Sequence, residues 1–240
     1  MRKCNIKSKI KNDTPMKNIL FLFICLFVIH SMPVFSQTTN EAIEPSVSGN
    51  TVIDLLKENT LNAWKIPSSH WQLKDGSIIG ETGSEKLSTP EWIYTKQSFS
   101  NFEFTCELRL TGDNRRNTGI YYRVHTFSYR GQFDAPSGYE FDAAATGDKL
   151  TGSVGDWYVR PSLRISADSI LINKVYNSGN WNRLTMRVRG SRLEYWINGT
   201  KIMDYTDTDP KGSKEGIIGF QMHDGSLMKA EYRNIRIRPL

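Results

Sequence analysis

Cysteine is scarce in this chain, with three residues in 240, and this excludes a scaffold held together by disulfides. Two of the three lie within residues 1–36, a segment that we predict to be removed, so Cys106 alone would remain. Cys106 stands in the stretch 102–110, where every even position is apolar. This alternation predicts a buried small hydrophobic residue on a strand and not a reactive thiol.

Long apolar runs are also lacking. The run 19–29 follows a lysine, precedes the small residue Ser36 and is shorter than a membrane span. This arrangement is typical of a secretory signal, and Met16 begins a cleaner signal than Met1 does. We therefore predict a signal peptide over 1–36 with Met16 as the true start. The protein is then expected in the periplasm or outside a bacterium, with no membrane span after cleavage.

An excess of positive charge is absent once this leader is set aside. Residues 1–36 carry six basic side chains and one acidic one, a net charge of +5, whereas the whole chain carries +6. The mature protein is therefore close to neutral, at about +1. A nucleic-acid partner is not expected, because the basic character belongs to the leader.

The chain contains no Gly-rich phosphate loop, no Cys/His spacing typical of zinc, no internal repeat and no long helical period. Instead, short alternating segments follow one another from Trp71 to the C-terminus. Asp75-Gly76 and Asn198-Gly199 stand between such segments and are typical of hairpin turns. This pattern predicts an all-β fold, a sandwich or jelly roll of two antiparallel sheets.

The domain boundaries follow from where this pattern begins. Residues 37–50 lack periodicity and predict a flexible tether, which leaves 51–240 as the folded domain. Within that domain we predict a short helix in 51–64, a strand at 170–175 and a long loop over 143–169.

Three predicted strands turn titratable side chains to one face. Successive side chains of a strand point to opposite faces, so residues two apart share a face. The faces predicted in this way carry Glu140 with Asp142, Arg123 with His125, and Gln221 with His223. We expect these faces to line one groove, because the apolar residues between them would all face a common core.

Several short segments occur in an order that matches a known family: Asn117-Thr118-Gly119-Ile120, Gly138-Tyr139-Glu140, Thr151-Gly152-Ser153, Asn180-Trp181-Asn182, Ile197-Asn198-Gly199, 216–223 and 232–237. Together they resemble the 3-keto-disaccharide hydrolase domain (DUF1080) of the concanavalin A-like lectin/glucanase superfamily. The resemblance covers residues 51–240. It implies a concanavalin A-like jelly roll, an exported protein and action on 3-keto-glycosides. Two departures stand out, because the family usually has Ser at Thr118 and often Gly at Asp224.

The implied chemistry begins at a ketone on C3 of a sugar, which acidifies the hydrogen on C2. A base removes that proton, the aglycone leaves C1 by β-elimination, and water then adds to the double bond. The resemblance implies that Glu140 is the base, or else the acid for the leaving group. His223 is the second proton-transfer group. The predicted substrate-binding residues are Asn117, Arg123, His125, Asp142, Trp157 and Gln221.

Other interpretations stay open. An Arg and a Glu on neighbouring strands often form a simple cross-strand pair, and Trp157 also suits a loop anchor. A non-catalytic carbohydrate-binding module would use the same face of the sheet. A conventional jelly-roll glycosidase ranks lower, because Ala144 and Ala145 stand where a glucanase motif starting at Glu140 would have its second Glu.

No cofactor is required by the sequence, although a divalent cation such as Ca²⁺ has two candidate places. One is the acidic loop with Asp204, Asp207 and Asp209, which is rich in oxygen ligands. The other is the predicted groove itself, where carboxyl and imidazole groups would polarise a carbonyl through a bound ion. The expected partner is an oxidised glycoside, and the sequence leaves the oligomeric state open.

Overall fold

The computed structural model describes residues 43–144 and 150–240, which contain fifteen strands. They are β1 (Ile53–Asp54), β2 (Trp64–Lys65), β3 (Trp71–Lys74), β4 (Ser77–Glu81), β5 (Glu91–Phe99), β6 (Phe102–Gly112), β7 (Asn117–Tyr129), β8 (Phe133–Ala144), β9 (Val154–Gly155), β10 (Arg164–Ile165), β11 (Trp181–Arg189), β12 (Arg192–Ile197), β13 (Thr200–Thr206), β14 (Gly216–Met222) and β15 (Met228–Pro239). One sheet has the order β13-β12-β11-β6-β15-β4-β3, with β1 also paired to β15. The other has the order β10-β9-β8-β7-β14-β5-β2. The predicted jelly roll of two antiparallel sheets is confirmed.

The core between the sheets is organised around parallel aromatic rings. Phe141 on β8 stacks on Tyr195 on β12 with ring centroids 4.2 Å apart, and Phe220 on β14 stacks on Tyr232 on β15 at 3.8 Å. Burying each such ring stabilises the fold by roughly 1.5–3 kcal/mol. Because side chains alternate along a strand, the residues next to Phe141 and Phe220 are turned to the outer face of the seven-stranded sheet.

The hairpin turns and the cysteine are found as predicted. Asp75-Gly76 joins β3 to β4, and Asn198-Gly199 joins β12 to β13. All four turn residues have positive φ, between 50° and 91°, as a type I′ turn requires. Cys106 is 1 % exposed within the core.

The prediction of a strand at 170–175 is wrong, because Ser169–Val175 forms an α-helix, α1. The Asp168 carboxylate caps this helix by accepting hydrogen bonds from the backbone N–H groups of Ile170 and Leu171. A short apolar run fits a buried helix turn and a strand equally well, so periodicity does not separate the two.

Two other predicted segments also differ from the structure. Residues 51–64 hold β1 and a single 3-10 turn at Lys57–Asn59 in place of the predicted helix. The predicted loop 143–169 contains β9 and β10, which extend the seven-stranded sheet beyond β8. Strands of two residues carry too little alternation to be found in a sequence.

The predicted tether is described from residue 43, and this part is packed on the eight-stranded sheet. The Glu44 carboxylate accepts hydrogen bonds from the Arg183 guanidinium and the Thr185 hydroxyl, and Val47 is buried. A flexible tether therefore does not describe residues 43–50. The predicted signal peptide, 1–36, lies outside the described residues. Among the described residues, no helix has the length and apolar character needed to cross a membrane.

A β-bulge in β7 reverses the alternation of that strand between Tyr122 and His125. Arg123 has a φ of 52°, and beyond it Val124 packs with the aromatic residues of the outer face. The Arg123 side chain is thereby directed into one end of the sandwich and is 1 % exposed. Its guanidinium donates to the carbonyls of Ser100, Gly190 and Ser213 and to Oδ1 of Asn101.

We predict that Arg123→Met lowers the free energy of unfolding by about 3 kcal/mol or more, because it leaves several buried acceptors without a donor. Arg189→Met, a change of the same type at an exposed arginine, should stay within about 0.5 kcal/mol of wild type. Urea denaturation followed by tryptophan fluorescence checks both values. Equal stability of the two variants would contradict the structural role of Arg123.

Candidate functional site

The outer face of the seven-stranded sheet carries a groove of about 370 Å³ over β7, β8 and β14. It is lined by Asn117, Tyr121, Glu140, Asp142, Leu150, Trp157, Tyr158, Arg164, Gln221 and His223. Six of these were predicted as site residues: Asn117, Glu140, Asp142, Trp157, Gln221 and His223. They come from three neighbouring strands and from two loops at the sheet edge.

The Glu140 side chain occupies a space that is open because Gly119 and Gly155 have no side chains; we call this space the glycine seat. A Cβ on Gly119 would stand 2.0 Å from Oε1 of Glu140, so the carboxyl lies directly over this glycine. On the other side, Gly155 pairs with Glu140, and a Cβ there would stand 2.7 Å from Nε1 of Trp157. The absence of two side chains therefore lets the carboxyl and the indole lie flat against the sheet.

Burial raises the pKa of Glu140 to about 8, since the charged carboxylate loses its hydration. Hydrogen bonding from the Tyr121 hydroxyl and the Trp157 indole opposes this rise in part. Tyr121 stays a donor because burial and the neighbouring carboxyls raise the pKa of its hydroxyl well above the usual value. Glu140 thus holds a proton at neutral pH and can release it to a bound ligand.

His223 lies at the end of β14, half exposed to solvent at the groove. Its Nδ1 is 2.8 Å from the backbone carbonyl oxygen of Asp224. A carbonyl only accepts hydrogen bonds, so Nδ1 carries the proton and donates it. In the neutral tautomer that this contact favours, Nε2 carries the lone pair that accepts a proton. The family departure at Asp224 leaves this contact intact, because the contact uses the backbone.

Polar atoms without a partner collect in the same groove. Among the described residues, Oδ1 of Asn117, Oε1 of Gln221 and Oε1 of Glu140 are buried and accept no hydrogen bond. Unsatisfied buried acceptors are costly, and in native proteins they often serve a ligand. Hydroxyl groups of a sugar are donors of the required kind.

Four groove residues were not predicted as site residues. Tyr121 and Tyr158 form the aromatic wall, Leu150 closes one side, and the Arg164 guanidinium lies 4.4 Å from the ring centre of Trp157. Tyr121 shares the outer face predicted by the alternation of β7, so the pattern held a signal for it. Arg164 is on a two-residue strand within a predicted loop and carried no such signal.

Arg123 and His125 do not line this groove, which corrects their predicted role. The bulge at Arg123 inverts the facing of the residues that follow, and His125 reaches a different depression with Ser137 and Lys214. One inserted residue flips every later side chain to the opposite face of a strand. Substrate contacts by these two residues are not supported by their positions.

The acidic loop does not bring its three carboxylates together. Asp207 accepts hydrogen bonds from Tyr139 and Arg160, whereas Asp204 pairs with Arg192 and Lys201. Across the described residues, no three His, Cys, Asp or Glu side chains are grouped so as to hold a metal ion.

We predict that Gly119→Ala impairs the site without a matching loss of stability. In a strand, alanine normally makes the protein more stable than glycine does, by about 0.5–1 kcal/mol. Any loss of ligand binding or of stability in this variant therefore comes from the collision of the new Cβ with the Glu140 carboxyl. Ligand binding in the groove should weaken by at least about tenfold. Titration calorimetry beside urea denaturation checks this. Binding that matches wild type would contradict the described seat.

We predict that Glu140→Gln gains stability relative to wild type as the pH rises from about 4.5 to about 8, with no further gain above that. The folded-state pKa is raised, so between these values the unfolded chain releases a proton that the folded chain keeps, and wild type loses stability. Each unit of pKa difference corresponds to about 1.4 kcal/mol. Unfolding free energies across this pH range check the trend, and the exposed Glu81→Gln is the control. A constant difference between Glu140→Gln and wild type would contradict it.

Comparison with known proteins gives one family and several structures of the same fold. The family of 3-keto-α-glucoside-1,2-lyase-like domains matches residues 51–238. A candidate glycosyl hydrolase from Parabacteroides distasonis ATCC 8503 is similar with a TM-score of 0.58 and 20 % identity, over 79 % of this chain and 94 % of that one. The exoplasmic/lumenal domain of VIP36, bound to Ca²⁺ and mannose, is similar with a TM-score of 0.53 and 12 % identity, over 85 % and 91 % of the two chains.

A search of curated proteins found no match. At these identities the similar structures establish the fold alone, and the family match carries the assignment. It spans nearly all of the two-sheet domain, including the three strands that build the groove. The chain therefore belongs to the family of 3-keto-α-glucoside-1,2-lyase-like domains, whose members act on or bind carbohydrate.

Proposed function

We propose that this groove cleaves 3-keto-glycosides by elimination of the aglycone followed by hydration. The observation that carries the proposal is that one groove holds both the buried Glu140, whose carboxyl pKa is raised to about 8, and His223, whose Nδ1 contacts the backbone carbonyl of Asp224. A protonated carboxyl and an imidazole nitrogen with a lone pair can serve as acid and base in the same turnover. The family match supports the same substrate class.

In the first half-reaction, His223 Nε2 takes the proton from C2 of the sugar. The electron pair forms the C1–C2 double bond, the bond from C1 to the aglycone oxygen breaks, and Glu140 gives its proton to that oxygen. The products are the free aglycone and an unsaturated 3-keto sugar. The proton on Glu140 matters because an alkoxide is a poor leaving group unless it is protonated as it departs.

In the second half-reaction, the roles are reversed. The Glu140 carboxylate takes a proton from water, whose oxygen adds to C1, and the imidazolium of His223 returns its proton to C2. The net result is hydrolysis, and both groups regain their starting protonation states. The same pair therefore suffices for both steps without an additional acid or base.

The other groove residues orient the sugar and stabilise developing charge. Asn117 and Gln221 each offer a donor and an acceptor for ring hydroxyls, and their buried oxygens lack partners among the described residues. The exposed Arg164, stacked on Trp157, brings a positive charge to the groove when the C3 oxygen becomes enolate-like. Asp142 shares the outer face of β8 with Glu140 and would hold a further hydroxyl.

A non-catalytic carbohydrate-binding function is the second candidate, and the unpaired amide oxygens suit it equally well. Glu140→Gln separates the two. An enzyme should lose turnover while keeping part of its sugar affinity, because glutamine retains the shape but not the titrating proton. A binding module has no turnover to lose.

The proposal is tested by assaying a 3-keto-glucoside and its unoxidised parent side by side, with and without EDTA. Cleavage of the keto substrate alone supports elimination, because without the ketone the C2 hydrogen is not acidic. Cleavage of the parent would refute elimination and favour a conventional glycosidase. Loss of activity with EDTA, restored by a divalent salt, would add a cation to the groove.

We predict that Glu140→Gln and His223→Asn each lower kcat on the keto substrate by about 10²–10⁴-fold, the usual contribution of general acid–base catalysis. His125→Asn is the matched control, since His125 lies outside the groove, and its kcat should equal that of wild type. Steady-state rates measured from about pH 5 to about pH 9 check this. If His125→Asn were as impaired as His223→Asn, the assignment of His223 would fail.

A further inference from the structure

A second cavity, of about 420 Å³, lies on the same outer face of the sheet as the groove. It is bounded by β5, by the segment that follows β2 and by the hairpin between β7 and β8. Its lining includes Ile66, Glu91, Trp92, Tyr94, Phe133 and Asp134. None of these residues lines the groove that holds Glu140.

The two cavities share one wall. Trp92 on β5 pairs directly with Gln221 on β14, so their side chains are neighbours on the outer face. The Trp92 ring also meets Tyr121 and Tyr158 edge-on, with centroids 5.8 Å and 5.9 Å away. Trp92 belongs to the second cavity and the other three residues to the groove. A single layer of side chains therefore separates the two cavities.

The chemistry of the second cavity suits a hydroxylated ring. Trp92 is 5 % exposed, and among the described residues its indole N–H has no acceptor. Glu91 also lines the cavity and supplies a carboxylate acceptor. Its carboxylate is oriented by the Ser68 hydroxyl, which donates to it at 2.6 Å, and by His70 Nδ1, which lies 3.0 Å away. Phe133 stacks on Trp92 with ring centroids 5.9 Å apart and an angle of 28° between the ring planes, and it adds an apolar surface.

A sugar ring offers hydroxyl oxygens to an N–H donor, hydroxyl protons to a carboxylate and C–H groups to an aromatic face. The lining carries the carboxylates of Glu91 and Asp134 against the single ammonium group of Lys65, and this excess of negative charge disfavours an anionic group.

We propose that this second cavity is the aglycone subsite and that it binds a neutral sugar ring, linked through its oxygen to C1 of the 3-keto sugar in the groove. This inference rests on the proposed function. Tyr121 interacts with the Glu140 carboxyl and also contacts the Trp92 ring, so one side chain connects the acid to the wall of the second cavity.

The kinetic test compares a 3-keto-disaccharide with a methyl 3-keto-glucoside, which has no second ring. Ile66→Trp fills the second cavity from an exposed position, and Val159→Trp is the matched control at an equally exposed residue outside both cavities. We expect Ile66→Trp to lower kcat/KM for the disaccharide by at least about tenfold and to leave the methyl glycoside unchanged. Val159→Trp should change neither value. Equal effects of Ile66→Trp on both substrates, or none on either, would overturn the subsite.

A binding test keeps the subsite separate from the reaction. An unoxidised disaccharide, which elimination cannot cleave, is titrated to about 50 mM into the ¹⁵N-labelled protein, a range that detects millimolar affinity. The Trp92 indole N–H resonance, assigned by its loss in Trp92→Phe, should shift in wild type and stay fixed in Ile66→Trp. A shift without turnover of any 3-keto-glycoside would refute the proposed function but leave a sugar site in the second cavity. Turnover with no shift and no preference for the disaccharide would refute the subsite alone.

Discussion

The groove depends on the stacking of aromatic rings between the two sheets. Phe141 on Tyr195 and Phe220 on Tyr232 fix the inward faces of β8 and β14 with near-parallel contacts. Since a strand alternates its side chains, holding Phe141 in the core places Glu140 on the outer surface. The thermodynamic gain from burying the rings thus also sets the positions of the polar residues on the other side of the sheet.

At Glu140, stability opposes the acid role that we propose for this residue. Burying a carboxyl is unfavourable, and the rise of its pKa to about 8 measures that cost in the folded state. The fold tolerates the burial because Gly119 and Gly155 leave room and because Tyr121 and Trp157 direct donors to the carboxyl. A solvated carboxylate would be easier to accommodate, but it would carry no proton at neutral pH to give to a leaving group.

The alternation of apolar and polar residues predicted much of the site. It placed Glu140, Asp142, Gln221 and His223 on faces that the structure brings together in one groove. It failed for Arg123 and His125 because the bulge of β7 requires a positive φ at Arg123, and an arginine gives no sign of this in a sequence. It also missed Arg164, because a two-residue strand is too short for alternation to be recognised.

By itself, the sequence determined the all-β class, the I′ hairpins and the identity of the buried strands, since these depend on local periodicity and on turn residues. The order of strands in each sheet was decided only by the tertiary structure, because pairing between distant segments leaves no local pattern. The glycine seat of Glu140, its raised pKa and the shared wall with Trp92 were likewise decided there. These properties arise from the contact of residues far apart in the chain, and burial, which shifts the pKa, exists only after folding.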